Sequence, residues 1–152
     1  MGSRKRRVQP CGSTRLTAVA AASVLVAAPC LVRAACPAPG SGLYTTAEAT
    51  AGEVVYDAHC SACHRADLSG DAGPPLAGKP FQAWLELSKI TGAQLFSFIS
   101  AQMPQNAPGS LTNAQYQHAF AYILSANHYP SGATSLGDSL ACLRMLPYPK
   151  QQ

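Results

Sequence analysis

Apolar residues recur at helical spacing in two stretches of the chain, and each stretch predicts a helix. The apolar positions are Leu95, Phe98 and Ile99 in the first stretch and Tyr116, Ala119, Phe120, Ile123 and Leu124 in the second. A Thr-x-x-Gln capping box precedes each set, so the helices are expected over about 91–101 and 112–127. Both apolar stripes are interpreted as parts of one core.

Two further helices are predicted earlier in the chain. One begins near residue 47 or 51, because Thr45 and Thr50 each start a Thr-x-x-Glu capping box. It leads into Cys60 and Cys63. The other is short and covers Phe81–Leu87.

Gly52 is a poor helix former within the first of these helices. We interpret it as the point where another helix crosses close to the backbone, with Tyr56 one turn later filling the crossing. The alternative is a helix that starts near Glu53 and has Gly52 merely in its first turn.

Proline and glycine interrupt the helical pattern. Their density between residues 67 and 78 excludes a continuous helix or a central strand. Pro130 follows the last helix, with Asn127 as the residue that tolerates a left-handed cap. The tail 131–152 is expected to be extended or loosely held. Because no strand pattern accompanies the helices, the predicted fold class is all-α.

Residues 1–35 have the order of regions found in a secretory signal peptide. Basic residues 4–7 precede an apolar, alanine-rich run over 16–32, and small residues follow. Cleavage is expected near residues 34–35, which predicts a periplasmic mature protein. The alternative is a retained membrane anchor, although the run is short for a span and Pro29 interrupts it.

The net charge of +4 arises from this leader, which contains six of the 11 basic residues. The rest of the chain has five basic residues and all seven acidic ones, so it is slightly acidic. The basic total therefore gives no support to nucleic-acid binding.

Cys60-Ser61-Ala62-Cys63-His64 is the attachment pattern of a c-type haem. On a helical turn, Cys60 and Cys63 lie on one face and can both reach the same porphyrin edge. His64 can then offer an imidazole nitrogen to the iron as the proximal ligand. The motif predicts one covalent haem c and redox chemistry.

Zinc and thioredoxin-like chemistry are the competing interpretations of the same cysteines. Zinc would require further Cys or His ligands at short spacing, and the chain has no second motif of that kind. A thioredoxin-like site would require strands around the motif, which the pattern does not predict.

Two residues further along the chain are candidates for completing the haem site. Pro74 lies in the rigid turn-rich segment and could present its carbonyl to the His64 Nδ1–H, which fixes the ring. Met103 directly precedes Pro104, which ends the helix and leaves the thioether on a loop that can cover the distal haem face.

Other side chains compete for these roles. His59, His118, His128 and Met145 are weaker candidates for the distal ligand than Met103. If Met103 were a core residue, the iron would be five-coordinate and open to small ligands. Trp84 is interpreted either as plain core or as a donor at the haem edge.

After the haem thiols are assigned, Cys36 and Cys142 remain near the two ends of the mature chain. In an oxidising compartment we expect a disulfide between them. The alternatives are lipidation of Cys36, because residues 34–36 resemble the end of a lipobox, and a free thiol. Arg33 stands where the lipobox has Leu.

From Gly52 to Leu136 the chain resembles class I, monohaem c-type cytochromes. The stretches that carry this resemblance are Gly52-x-x-x-Tyr56, Cys60-Ser61-Ala62-Cys63-His64, Gly73-Pro74-x-Leu76, Met103-Pro104 and Ala121-Tyr122-x-Leu124. More closely, it is similar to small cytochromes found with periplasmic quinoprotein (PQQ-type) dehydrogenases. The further matching stretches are Ala66-Asp67-Leu68-Ser69-Gly70, Pro74-x-Leu76-Ala77-Gly78-x-x-Phe81, Pro108-Gly109-Ser110-Leu111-x-x-x-Gln115-Tyr116 and Ile123-Leu124-x-Ala126-Asn127-x-Tyr129-Pro130.

The resemblance implies a cytochrome c-like fold, with three to five short helices around one haem. The domain would cover 47–130 after an irregular lead-in at 36–46. Axial ligation by His64 and Met103 is implied, as is a haem contact for Leu76.

The resemblance also implies that the first and last helices pack near Gly52 and Tyr122. The chain departs from the pattern at His128, where relatives tend to have Gly, and this departure could strain the helix cap.

The sequence therefore predicts an electron carrier rather than an enzyme. A periplasmic dehydrogenase would be the electron donor, and an oxidase or a second cytochrome the acceptor. The alternatives are a five-coordinate haem enzyme or ligand sensor, and a permanent haem subunit of a dehydrogenase complex. Membrane association is expected only if Cys36 is lipidated or the leader is retained.

Overall fold

A computed structural model describes residues 36–37 and 41–145. The predicted signal peptide and its cleavage site lie outside these residues. The helices are α1 Thr46–His59, α2 Ser61–His64, α3 Gly78–Ser88, α4 Gly92–Gln102, α5 Asn113–Ala126, α6 Leu136–Ser139 and a 3-10 helix Leu140–Met145. The described residues contain no strand, so the all-α prediction is confirmed. Of these helices, α2 and α6 are single turns.

Capping boxes fix the starts of three helices. The Thr45 side chain accepts the Glu48 N–H at 3.2 Å and caps α1, which decides between the two predicted starts. Thr91 and Thr112 cap α4 and α5 in the same way, as predicted. By contrast, α3 starts before the predicted Phe81, because Pro80 lies in its first turn, where a backbone N–H is not needed.

Helices α1 and α5 cross at Gly52. A Cβ atom at this position would collide with the His118 carbonyl and would lie 3.0 Å from the Tyr122 Cβ. The buried Tyr56 ring fills the crossing, with its centroid 5.2 Å from that of Tyr122. The interpretation of Gly52 as a crossing residue is confirmed, together with the implied packing near Tyr122.

The end of α5 differs from the prediction. Asn127 has a φ of −99°, and the left-handed residue is His128, with a φ of 62°. The prediction of a left-handed cap at Asn127 is therefore wrong. The buried side-chain amide of Asn127 donates to the carbonyl oxygens of Leu76 at 2.8 Å and Ile123 at 2.9 Å. These bonds hold Asn127 against the core, and the chain turns one residue later.

The tail is helical and packed from Leu136 onward, so the expectation of an extended or loose segment is wrong for residues 136–145, whereas residues 131–135 are irregular. Helix α6 and the 3-10 helix bury Leu136 and Leu143 completely. The Leu136 N–H donates to both carboxylate oxygens of Glu48, at 3.0 and 3.1 Å. Residues 146–152 lie outside the described part of the chain.

Cys36 and Cys142 bring the two ends of the described chain together. Their sulfur atoms are paired, and their Cα atoms lie 5.5 Å apart. Cys142 is buried, whereas Cys36 is exposed.

Within the described residues, no helix combines the length and the apolar character needed to cross a membrane.

Candidate haem site

The Cys-x-x-Cys-His motif forms a tight turn at the end of α1. Cys60 is the C-cap residue of α1. Its carbonyl accepts the N–H groups of Cys63 at 3.1 Å and His64 at 3.0 Å. Both thiols are unpaired, with Cys60 half-buried and Cys63 exposed. His64 is 8% exposed. The turn thus presents two free thiols beside a largely buried imidazole.

A hydrogen bond fixes the orientation of that imidazole. The His64 Nδ1 lies 2.7 Å from the Pro74 carbonyl oxygen. Because a carbonyl can only accept, Nδ1 carries a proton, and in the neutral imidazole Nε2 then has the lone pair. The expected hydrogen bond between these two residues is present, and it leaves the nitrogen that could bind a metal free to do so.

Gly73 lies directly against the ring, a role that no sequence pattern predicts. A Cβ at Gly73 would lie 2.6 Å from the His64 Cε1 and 2.8 Å from its Nδ1. The Gly73 N–H donates to the Cys63 carbonyl at 2.9 Å, which ties the loop back to the motif. Any larger residue at this position would displace the ring.

Leu76 is held at the end of the same loop. Its N–H donates to the Leu68 carbonyl at 2.9 Å, and its own carbonyl accepts the Asn127 amide. The structure therefore brings Cys60, Cys63, His64 and Pro74 together and anchors the loop that follows them. Asn127 was missed as an anchor, because its partner is 51 residues away in the sequence.

Met103 lies at the end of α4, as predicted. It is the C-cap residue, with extended φ and ψ of −115° and 154°, and its N–H donates to the Ile99 carbonyl at 3.0 Å. Its side chain is half-buried. The Met103 carbonyl accepts the Tyr116 hydroxyl at 2.6 Å. Among the competing histidines, His59 and His128 are exposed and His118 is half-buried.

Trp84 does not belong to the core. It is 47% exposed, so its interpretation as a plain core residue is wrong. Phe81 takes the inner position on α3, and the two rings stack with centroids 6.1 Å apart. A haem contact for Trp84 stays a prediction.

Burial raises the pKa of two groups, one in the motif and one close to it. Burial, with a smaller contribution from Cys63, raises the pKa of Cys60 to about 11. Burial also raises the pKa of Tyr56, whose hydroxyl donates to the Arg65 carbonyl at 2.8 Å. Cys60 is therefore a protonated thiol at neutral pH, and Tyr56 a neutral hydrogen-bond donor.

The residues of this site fit a covalent haem better than a zinc ion. The described residues contain no cluster of three or more His, Cys, Asp or Glu side chains that could hold a metal ion. What they contain is a pair of free thiols, one fixed imidazole with an available Nε2 and a glycine, Gly73, that leaves room for that imidazole.

This all-α fold and its Cys-x-x-Cys-His site define a c-type cytochrome. The family model described as cytochrome c oxidase, cbb3-type, subunit III matches residues 47–123, and the chain belongs to this cytochrome c family. Membership implies covalently bound haem c and haem-based electron transfer. It supports an electron carrier or a subunit of a redox complex rather than an enzyme. Neither a curated protein nor a solved structure matches the chain.

Proposed function

We propose that the protein is a periplasmic one-electron carrier whose haem is attached to Cys60 and Cys63 and ligated by His64 and Met103. The observation that carries the proposal is the hydrogen bond from the His64 Nδ1–H to the Pro74 carbonyl. It fixes the ring and raises the basicity of Nε2, as in other sites where histidine binds a metal. When bound, the haem iron supplies a one-electron couple whose potential Met ligation raises.

The protein residues act by orienting groups rather than by moving protons. Pro74 holds the imidazole by a hydrogen bond, Gly73 lies against the ring, and Asn127 anchors the loop at Leu76. Met103 is the C-cap residue of α4 and has an extended backbone conformation. This position supports its role as the second axial ligand. With His64 and Met103 both holding the haem iron, electron transfer would need little rearrangement of the protein.

Export and the disulfide belong to the same proposal. The leader pattern supports a periplasmic location, where a Cys36–Cys142 disulfide would persist. The similarity to cytochromes found with quinoprotein dehydrogenases suggests such a dehydrogenase as the donor. An oxidase or another cytochrome would be the acceptor.

The test is spectroscopic and uses the exported holoprotein. We expect haem that survives acid–acetone extraction, a Met–iron charge-transfer band in the ferric near-infrared and no carbon monoxide binding in the reduced state. Met103→Ala should abolish the band and admit carbon monoxide, whereas the control His118→Ala should leave both unchanged. An unaltered band in Met103→Ala would refute the proposed ligation.

A permanent subunit of a larger complex is the second candidate. The family description, which names an oxidase subunit, favours it. Purification from the native membrane and soluble fractions at high salt separates the two. A free carrier elutes alone, whereas a subunit remains bound to its complex.

A further inference from the structure

The segment 103–111 connects α4 to α5 and has little buried surface of its own. Residues 105–110 are all exposed. Its internal hydrogen bonds are the Ala107 N–H to the Pro104 carbonyl at 2.8 Å and two longer ones of 3.3 Å. Packing alone therefore does little to fix the position of Met103 at its start.

One hydroxyl holds both ends of this segment. The Tyr116 hydroxyl donates to the Met103 carbonyl at 2.6 Å and accepts the Leu111 N–H at 3.4 Å. In the described part of the chain, no other side chain hydrogen-bonds the backbone of residues 103–111. The hydroxyl thus links the first and last residues of the segment.

Tyr116 is itself firmly placed. It is 3% exposed and lies in the first turn of α5, where its N–H donates to the carbonyl of the capping residue Thr112 at 3.0 Å. The same helix crosses α1 closely at Gly52. The bond from this residue therefore ties the end of α4 to α5.

We propose that Tyr116 is a positioning residue that keeps Met103 in its axial place through the Met103 carbonyl. The inference rests on the proposed ligation by Met103 and adds the residue that makes that ligation firm. A thioether is a weak ligand, so its occupancy depends on how well the backbone holds it.

Imidazole provides the test, because added imidazole and Met103 compete for the same axial position. The apparent affinity for imidazole rises as the fraction of protein with Met103 bound falls. Ferric holoprotein is titrated with imidazole as wild type, Tyr116→Phe, Met103→Ala and Tyr44→Phe. The last is a matched control, since the buried Tyr44 hydroxyl also donates to a backbone carbonyl at 2.6 Å, that of Tyr129, away from the segment.

We expect Tyr116→Phe to bind imidazole about three- to tenfold more tightly than the wild type, from the loss of one buried hydrogen bond. Met103→Ala should bind it most tightly, and Tyr44→Phe should match the wild type. In a second measurement, the ferric protein is heated. The Met–iron near-infrared band of Tyr116→Phe should disappear at a temperature well below the one at which this variant unfolds.

Two results would overturn the inference while leaving the ligation intact. Tyr116→Phe could bind imidazole like the wild type, or Tyr44→Phe could gain as much affinity as Tyr116→Phe. If the wild type lacks the near-infrared band and binds imidazole as tightly as Met103→Ala, the ligation by Met103 is wrong and this inference falls with it.

Discussion

Asn127 joins three parts of the molecule through one side chain. Besides its bonds to Leu76 and Ile123, its Oδ1 accepts the Gln82 side-chain amide at 3.0 Å. Asn127 is 2% exposed, so each of these polar groups would be costly to leave unpaired. The residue therefore fixes the loop after the haem motif, the end of α5 and one face of α3 relative to one another.

His128 bears the strain of the turn that follows. A non-glycine residue in the left-handed region is disfavoured, and His128 has a φ of 62°. We expect His128→Gly to increase the free energy of unfolding by about 1 kcal/mol, because glycine adopts this conformation without a Cβ clash.

The control for this prediction is His128→Ala, which removes the same imidazole and keeps the strained backbone. Thermal unfolding followed by circular dichroism should separate the two variants. Equal stabilisation by both would mean that the imidazole, and not the backbone conformation, is the unfavourable part.

At the residue scale, the sequence was informative where chemistry restricts the choice of residue. The thiol pair, His64 and the Pro74 carbonyl could be predicted from haem chemistry alone. The left-handed conformation predicted for Asn127 is wrong. The capping rule considers only neighbouring residues, whereas Asn127 is held by a hydrogen bond to the distant Leu76. Gly73 could have been identified only from its place beside Pro74.

The central element contact is the crossing of α1 and α5. Gly52 permits close approach, and the Tyr56 and Tyr122 rings pack beside it. Because α1 leads directly into the haem motif, this contact determines where the motif lies relative to α5. Helix α4 adds the Phe96 ring, edge-on to Phe120 with centroids 5.4 Å apart.

A methyl group at the crossing should be strongly unfavourable. Gly52→Ala would ordinarily favour a helix, yet its Cβ would meet the His118 carbonyl, which cannot move without shifting α5. We expect a loss of about 2–3 kcal/mol in the free energy of unfolding, measured by denaturant titration.

Gly137→Ala provides the comparison for Gly52→Ala. Its Cβ would meet the end of the flexible Gln117 side chain at 3.1 Å, which can move aside. This variant should be neutral or slightly stabilised. A similar loss of stability in both variants would argue against a special role for the crossing.

Element starts were predictable at α4 and α5, where a single capping box was present, but at α1 a second box at Thr50 left the start open. Helix α6 was not predicted, although Ser135 caps it and its side chain accepts the Asp138 N–H at 3.2 Å. Leu136, Leu140 and Leu143 repeat at helical spacing in the tail, a signal that the turn-forming residues around them obscured.

At the scale of the whole molecule, the tail completes the core instead of leaving it. Glu48 belongs to the α1 capping box and also accepts the Leu136 N–H, so one carboxylate connects the start of α1 with α6. Tyr44 and Gly132 add a backbone bond of 2.7 Å between the lead-in and the tail. Contacts across so many residues could not be derived from local patterns.

The proposed Cys36–Cys142 disulfide should contribute substantially to the stability of this arrangement. Cys36→Ser removes the link at an exposed position and leaves the buried Cys142 in place. Because the partners are 106 positions apart, we expect the free energy of unfolding to fall by about 2–4 kcal/mol.

The Cys36→Ser/Cys142→Ser double variant is the control for the effect of the link. It should be no less stable than Cys36→Ser apart from the small cost of a hydroxyl in the core. If Cys36→Ser unfolds like the wild type under oxidising conditions, the link does not contribute. Intact mass of the mature protein distinguishes a disulfide from a lipid on Cys36.

The proposed disulfide between Cys36 and Cys142 would make the polypeptide between them a closed ring. A protease that cuts once within the exposed residues 105–110 would open this ring without releasing either piece. The nicked protein would run as one species on a denaturing, non-reducing gel. It would separate into two fragments only after reduction. One half would carry the pigment of the attached haem, and the other would be colourless.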